Sequence, residues 1–334
     1  MRTVSLYDEA ALSDLVKMQR ENGWSLEESI DWSVTLDLSK PLVALDEEAL
    51  FFPGASREER LAVSQIMGLI IAASICEMEE CLVRLRKQAY EDVLRRYPVS
   101  PEFIELGEQF FLEETKHSEA FRRYMTKFAH ATGVNLDDLK TVLPQVERTK
   151  TEWFLKKNLE AGGYAFWWIV AEVEQEFLLL YNALAPFRKH IEPLYFDLHR
   201  KHFEEEARHA SFPYLMLELM ITRAPSPRSF LHAKGDLMIS QIVQTLWTAQ
   251  ALSRTRALKK LAGKHPIYTA LARMQDILEK QPKVRTFWKF FTSAPYVSSL
   301  VNPNHHRKFL RFAKKMGSFS IPFPAPTPAP LVDY

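Results

Sequence analysis

Two short stretches constrain the fold of this chain more than any others: Glu114-Thr-Lys-His117 within FLEETKHSEAF, and Glu206-Ala-Arg-His209 within HFEEEARHASF. Each sets a glutamate and a histidine three residues apart in sequence with helical apolar spacing. On an α-helix such residues stand on neighbouring ridges, their Cβ atoms roughly 5–6 Å apart, so carboxylate and imidazole point together. Two helices of this kind can converge their pairs on one shared point, and a cation there would hold the acidic groups in place.

The rest of the chain agrees with a helical frame. Only 10 of 334 residues are glycine, apolar positions recur with a period near 3.6, and alternating Val/Ile/Thr runs are almost absent, which predicts an all-α protein. Residues 1–55 read as a peripheral N-terminal arm with one or two short helices. A Ser56-x-x-Glu59 capping box then opens a long helix expected to run toward Arg95 and stop before Pro98. Pro101, after Ser100, suits the first turn of a second helix ending at Gly133. A third, loosened at Gly162-Gly163, runs to Pro186, and a fourth spans about Glu192 to Ile221. The reading is a single domain over 1–334. A di-metal four-helix bundle occupies 56–225 and additional helices 226–318, with segments at about 229–262 and 267–280 and a basic stretch over 283–315. A Pro-rich tail occupies 319–334. Proline at every second position from Pro322 to Pro330 makes that tail an extended strap.

Each helix offers candidate metal ligands. In the first, Glu79 shares its face with Gly68, Ala72, Ile75 and Leu82, where an unpaired charge costs several kcal/mol. Glu80 has Arg84 four residues on as an ion-pair partner. The second supplies Glu114 and His117. In the third, Glu174 lies among Trp167, Val170, Ala171, Phe177 and Tyr181 and is preferred over Glu172 and Glu176, which remain open alternatives. The neighbouring pair Trp167 and Trp168 reads as core before substrate wall. In the fourth, His202, Glu206 and His209 form one stripe, whereas His199 stands about 15 Å of helix rise from His209 and fits better as a supporting residue. Carboxylate and imidazole without thiolate favour iron first, with manganese possible, over structural zinc.

Composition narrows the partners. Lys and Arg total 43 against 42 Asp and Glu, so nothing draws the chain to nucleic acid or an anionic membrane. Two cysteines, Cys76 and Cys81, rule out a disulfide framework and favour a reducing, cytoplasmic setting. No signal peptide or membrane span is expected. There is no Gly-rich dinucleotide fingerprint or cysteine cluster, so electrons for redox chemistry would come from a separate reductase or ferredoxin, or from peroxide.

At these residues the chain resembles the ferritin-like di-iron oxygenases, most closely the p-aminobenzoate N-oxygenase family, over roughly residues 57–225. That resemblance implies a ribonucleotide reductase small-subunit-like bundle holding two iron ions through Glu79, Glu114, His117, Glu174, His202, Glu206 and His209. The discriminating element is His202-x-x-x-Glu206-x-x-His209. It also implies O2-dependent oxidation of an amine, hydroxylamine or hydrazine nitrogen in natural-product biosynthesis, and a homodimer. A radical-storing reductase subunit would carry tyrosine four residues after the second helix's histidine, where this chain has Phe121. Alternative readings are a C–H hydroxylase or desaturase, a radical protein, or iron storage.

Overall fold

The computed structural model describes residues 9–44, 54–143, 150–223, 231–240, 242–243 and 257–280. These residues are helical with no strand among them, as the glycine-poor, 3.6-periodic sequence predicts.

Helix α1 (Glu9–Asn22) leads into an irregular segment, and α2 (Arg57–Arg84) begins at the expected capping box. The Ser56 amide donates to Glu59 Oε2 at 2.9 Å and the Glu59 amide to Ser56 Oγ at 3.2 Å, so two otherwise orphaned donors are satisfied. The long helix expected to reach Arg95 is in fact three pieces. After α2, a π-helical turn spans Lys87–Glu91 and a short α3 spans Asp92–Arg96. Trp167 Nε1 donates to the Ala89 carbonyl at 3.1 Å, and Tyr90 donates its hydroxyl to the Ile104 carbonyl at 2.8 Å. Side-chain bonding of this kind accompanies the widened turn.

Helix α4 (Pro101–Thr132) starts at the Ser100 cap and stops at Gly133, whose φ of 76° is the left-handed conformation that ends helices. Two short helices follow, α5 (Leu136–Val142) and α6 (Lys150–Glu160). Gly162-Gly163 then breaks the chain before α7 (Ala165–Leu184). At Gly163 a Cβ would lie 2.3 Å from the Asn158 side chain, so the turn closes only around glycine.

The fourth predicted helix is also interrupted. It runs as α8 (Pro193–His209) and resumes as α9 (Phe212–Arg223). Pro213 accounts for the break, since its ring would strike the carbonyl four residues earlier, at His209. Residues 231–240 form α10, and α11 (Leu258–Leu261) and α12 (Pro266–Glu279) complete the described chain. The segments predicted at 283–315 and the Pro-rich strap lie outside the described residues, as does most of the expected helix beyond 243.

Helix α2 packs on α4 and α12, α4 on α8, and α7 on α8 and α9. By length and composition α2 could cross a membrane, but 61% of its most apolar window is buried inside the protein, the environment of a core helix. Trp167 and Trp168 are both fully buried, and Trp168 Nε1 donates to the Ala233 carbonyl at 3.0 Å. They are core residues, as expected. Cys76 and Cys81 are free, buried thiols, and burial pushes Cys81 up to about 12.

Candidate metal centre

The apolar stripes of α2, α4 and α8 turn six titratable side chains to one interior point, Glu79 from α2, Glu114 and His117 from α4, and His202, Glu206 and His209 from α8, while the predicted Glu174 from α7 is buried beside Glu206 and Glu114 without joining either donor group. None is more than 2% exposed. Glu206 lies at the centre. Its Oε1 is 2.9 Å from His202 Nε2, 3.1 Å from His117 Nδ1 and 3.5 Å from His209 Nδ1. Glu79 Oε1 approaches His202 Nε2 at 2.9 Å, and Glu114 Oε1 approaches His209 Nδ1 at 2.8 Å. Two overlapping four-residue groups result, Glu79-His117-His202-Glu206 and Glu114-His117-Glu206-His209, and the donor atoms of each lie within 4.8 Å of one another.

Hydrogen bonding distinguishes a cation site from a polar core. Buried polar groups are almost always paired. Here Glu79 Oε2, both oxygens of Glu114 and Glu206, Glu174 Oε2, and Nδ1 of His117 and His209 have no hydrogen-bond partner. Apart from the hydrogen bond between His202 Nε2 and Glu79 Oε1, the short N···O contacts of these atoms lack hydrogen-bond geometry, as expected of donor atoms converging on a cation. Charge points the same way. Among the described residues no Lys or Arg pairs with these four inner carboxylates. Two divalent ions would supply four positive charges against four negative ones, and oxygen with imidazole nitrogen is a donor set suited to iron or manganese.

Without a cation, the charges redistribute onto protons. Burial, then the crowding of neighbouring carboxylates, raises Glu114 above the ordinary carboxylate range and Glu174 well above it. Burial also raises Glu79, against the opposing pull of His117. Glu206 moves down, because His202 and His209 outweigh its burial. Burial alone would lower His117 and His209, yet the carboxylates around them raise both.

Two carboxylates that sequence reasoning missed support the imidazoles from behind. His117 Nε2 bonds Glu205 Oε2 at 2.6 Å, and His209 Nε2 bonds Glu113 Oε2 at 2.6 Å, so each imidazole is held by a carboxylate from the other helix. These bonds fix the ring orientation and leave Nδ1 facing inward. Lys116 Nζ donates to Glu205 Oε1 at 2.6 Å, and Arg208 lies 3.8 Å from Glu113 and 3.6 Å from Glu205. His117 and Lys116 overcome the burial of Glu205 and bring it down to about 2. The signal for this arrangement is in the sequence, since EETKH and EEARH are the same five-residue pattern: two acids, a spacer, a base and a histidine.

His199 does not take the supporting role expected of it. It is buried against Tyr195 and Phe121, with ring centroids 4.3 and 5.1 Å away, and its Nε2 has no hydrogen-bond partner. Burial, with His202 nearby, keeps it neutral. Glu172 and Glu176 are only half-buried, whereas Glu174 is 2% exposed, so Glu174 is the helix-three residue the structure turns inward.

The N-terminal arm is more than peripheral. The Trp24 amide donates to Glu205 Oε1 at 3.0 Å, Lys116 donates to the Trp24 carbonyl at 2.9 Å, and Gln19 Nε2 donates to Glu113 Oε2 at 3.4 Å. The Trp24 ring stacks on His117 with centroids 5.9 Å apart and planes 13° from parallel. The imidazole side of the cluster is thereby closed.

The opposite side opens on a narrow cleft that continues into solvent. Glu79, Glu114 and Glu174 form its inner end, and Phe166, Val170 and Phe177 contribute to an otherwise almost wholly apolar wall. Comparisons with protein-family models, curated proteins and solved structures return no match.

Proposed function

We propose that this protein is a non-haem di-iron oxygenase of ferritin-like architecture that uses O2 to oxidise a nitrogen atom of a small molecule. The observation that carries this reading is the set of unpartnered buried oxygen and nitrogen atoms on Glu79, Glu114, His117, Glu174, Glu206 and His209, converging beside an apolar cleft. With His202, these residues would hold two ions. When bound, a pair of iron ions would supply the Lewis acidity and the electrons that activate O2.

The chain's own part is positional. Glu205 and Glu113 fix the orientation of His117 and His209, and Trp24 keeps water from the imidazole side. The Glu79–Glu114–Glu174 face is the side of the centre that the cleft reaches. Electrons would come from an external reductase or ferredoxin, or from peroxide.

The test is purified protein loaded with ferrous iron and supplied with reductant, 18O2 and panels of amines and hydrazines. Incorporation of 18O into nitrogen supports the reading, and full iron loading without any incorporation counts against it. The apolar wall also favours a second reading, C–H hydroxylation or desaturation, recognised in the same assay by 18O on carbon or by loss of hydrogen.

A further inference from the structure

The two imidazoles at the α4–α8 contact are backed unequally. Glu205, behind His117, accepts two further bonds on Oε1, from the Lys116 ammonium at 2.6 Å and the Trp24 amide at 3.0 Å. Glu113, behind His209, is met instead by the neutral side-chain amides of Gln19 at 3.4 Å and Gln109 at 3.3 Å. Arg208 does not level the difference, since it stands 3.6 Å from Glu205 and 3.8 Å from Glu113, beyond a direct hydrogen bond to either. Lys116 is held where it is by the N-terminal arm: its ammonium donates to the Trp24 carbonyl at 2.9 Å and lies 4.3 Å from the centre of the Trp24 ring. The side chain of Lys116 is 18% exposed and that of Glu205 fully buried, so water screens the pair only in part.

A carboxylate that accepts the proton of one imidazole nitrogen enriches the ring in electrons and favours the more highly charged state of an ion on the other nitrogen. A cation on the same carboxylate draws that negative charge away from the imidazole and opposes the effect. Resting on the di-iron reading, we infer that Lys116 is a positioning residue that acts through Glu205 and His117 to make the iron ion on His117 easier to reduce. The Glu113–His209 pair carries no equivalent ammonium among the described residues, so this control falls on one ion of the two.

Reductive titration of the full, iron-loaded chain under anaerobic conditions, with mediator dyes and optical detection, reads the two one-electron steps. Lys116→Met should lower one of them, raising the oxidised-to-reduced ratio at fixed potential about tenfold, or about 59 mV, and leave the other nearly unmoved. Lys116→Arg, which keeps the charge, should restore the wild-type value. Gln109→Lys, at a half-buried position, brings an ammonium to Glu113 and should raise the other step by a similar amount. This second variant keeps the inference testable should the Lys116→Met chain fail to fold, and a Lys116 that merely tethers Trp24 gives no reason for it to move either step. No lowering with Lys116→Met or, where that chain does not fold, no rise with Gln109→Lys overturns the inference and leaves the iron site standing. A chain that takes up no iron removes both. Nitrogen oxidation is not read in this titration and can fail independently of it.

Discussion

Glu205 on α8 bonds the Nε2 of His117 on α4 at 2.6 Å, across 88 residues of sequence. This contact leaves the other ring nitrogen of His117 facing Glu206. Replacing Glu205 with Gln keeps the shape and removes the charge that favours this orientation. Metal affinity, measured by competition with a chelator, should fall about 10–100-fold while helix content is kept. Unchanged affinity would show that His117 needs no such support.

Metal uptake should expel protons. In the metal-free protein His117 and His209 lie above the ordinary histidine range and Glu79, Glu114 and Glu174 above the ordinary carboxylate range. Protons therefore compete with the cation at higher pH than they would for unperturbed ligands, and affinity falls as pH drops. Calorimetry of ferrous or manganous ion binding in buffers of different ionisation heat should report net proton release. Zero release would contradict the assignment.

The two overlapping donor groups share His117 and Glu206, but only one includes His202. His202→Ala should reduce the metal content of the purified protein from two ions toward one per chain, and Glu206→Ala should abolish loading. Glu174→Gln should weaken loading, whereas Glu172→Gln should leave it near wild type. Equal effects of the two α7 substitutions would remove Glu174 from the set.

Trp24 is 7% exposed and stacks on His117. Trp24→Ala opens a cavity over the imidazole and should cost about 3–5 kcal/mol in denaturant unfolding. It should also speed metal release to a chelator. A stability loss without faster release would make the ring packing alone.

At Gly107 an added Cβ would lie 2.4 Å from the Tyr90 ring. Gly107→Ala should therefore destabilise the protein by about 1–3 kcal/mol, read as a lower Tm, because Tyr90 sits in the π-helical turn and has little room to move.

Much of this was legible in the sequence because helix chemistry is local. The Ser56–Glu59 box, Ser100-Pro101 and Gly133 end their helices where their types require. The inward glutamates stood out because apolar neighbours surround them. What escaped was non-local. At the π turn Trp167 reaches Ala89, 78 residues away, a contact that no local pattern announces. The α8 break was readable at Pro213, but a continuous apolar pattern masked it. Glu113 and Glu205 acquire a role only where the pairing of α4 with α8 gives each an imidazole, and Trp24 becomes part of the site only through the path of the arm.

The reciprocal bonds between α4 and α8 also set an order of events during synthesis. Neither rod by itself possesses both an inward-facing imidazole and the carboxylate that steadies it, so a half-made chain would offer a cation only loose, mismatched donors. The complete grip would exist only once the ribosome has passed His209 and the two rods have met, which would make capture of a cation a late step that locks a finished interior.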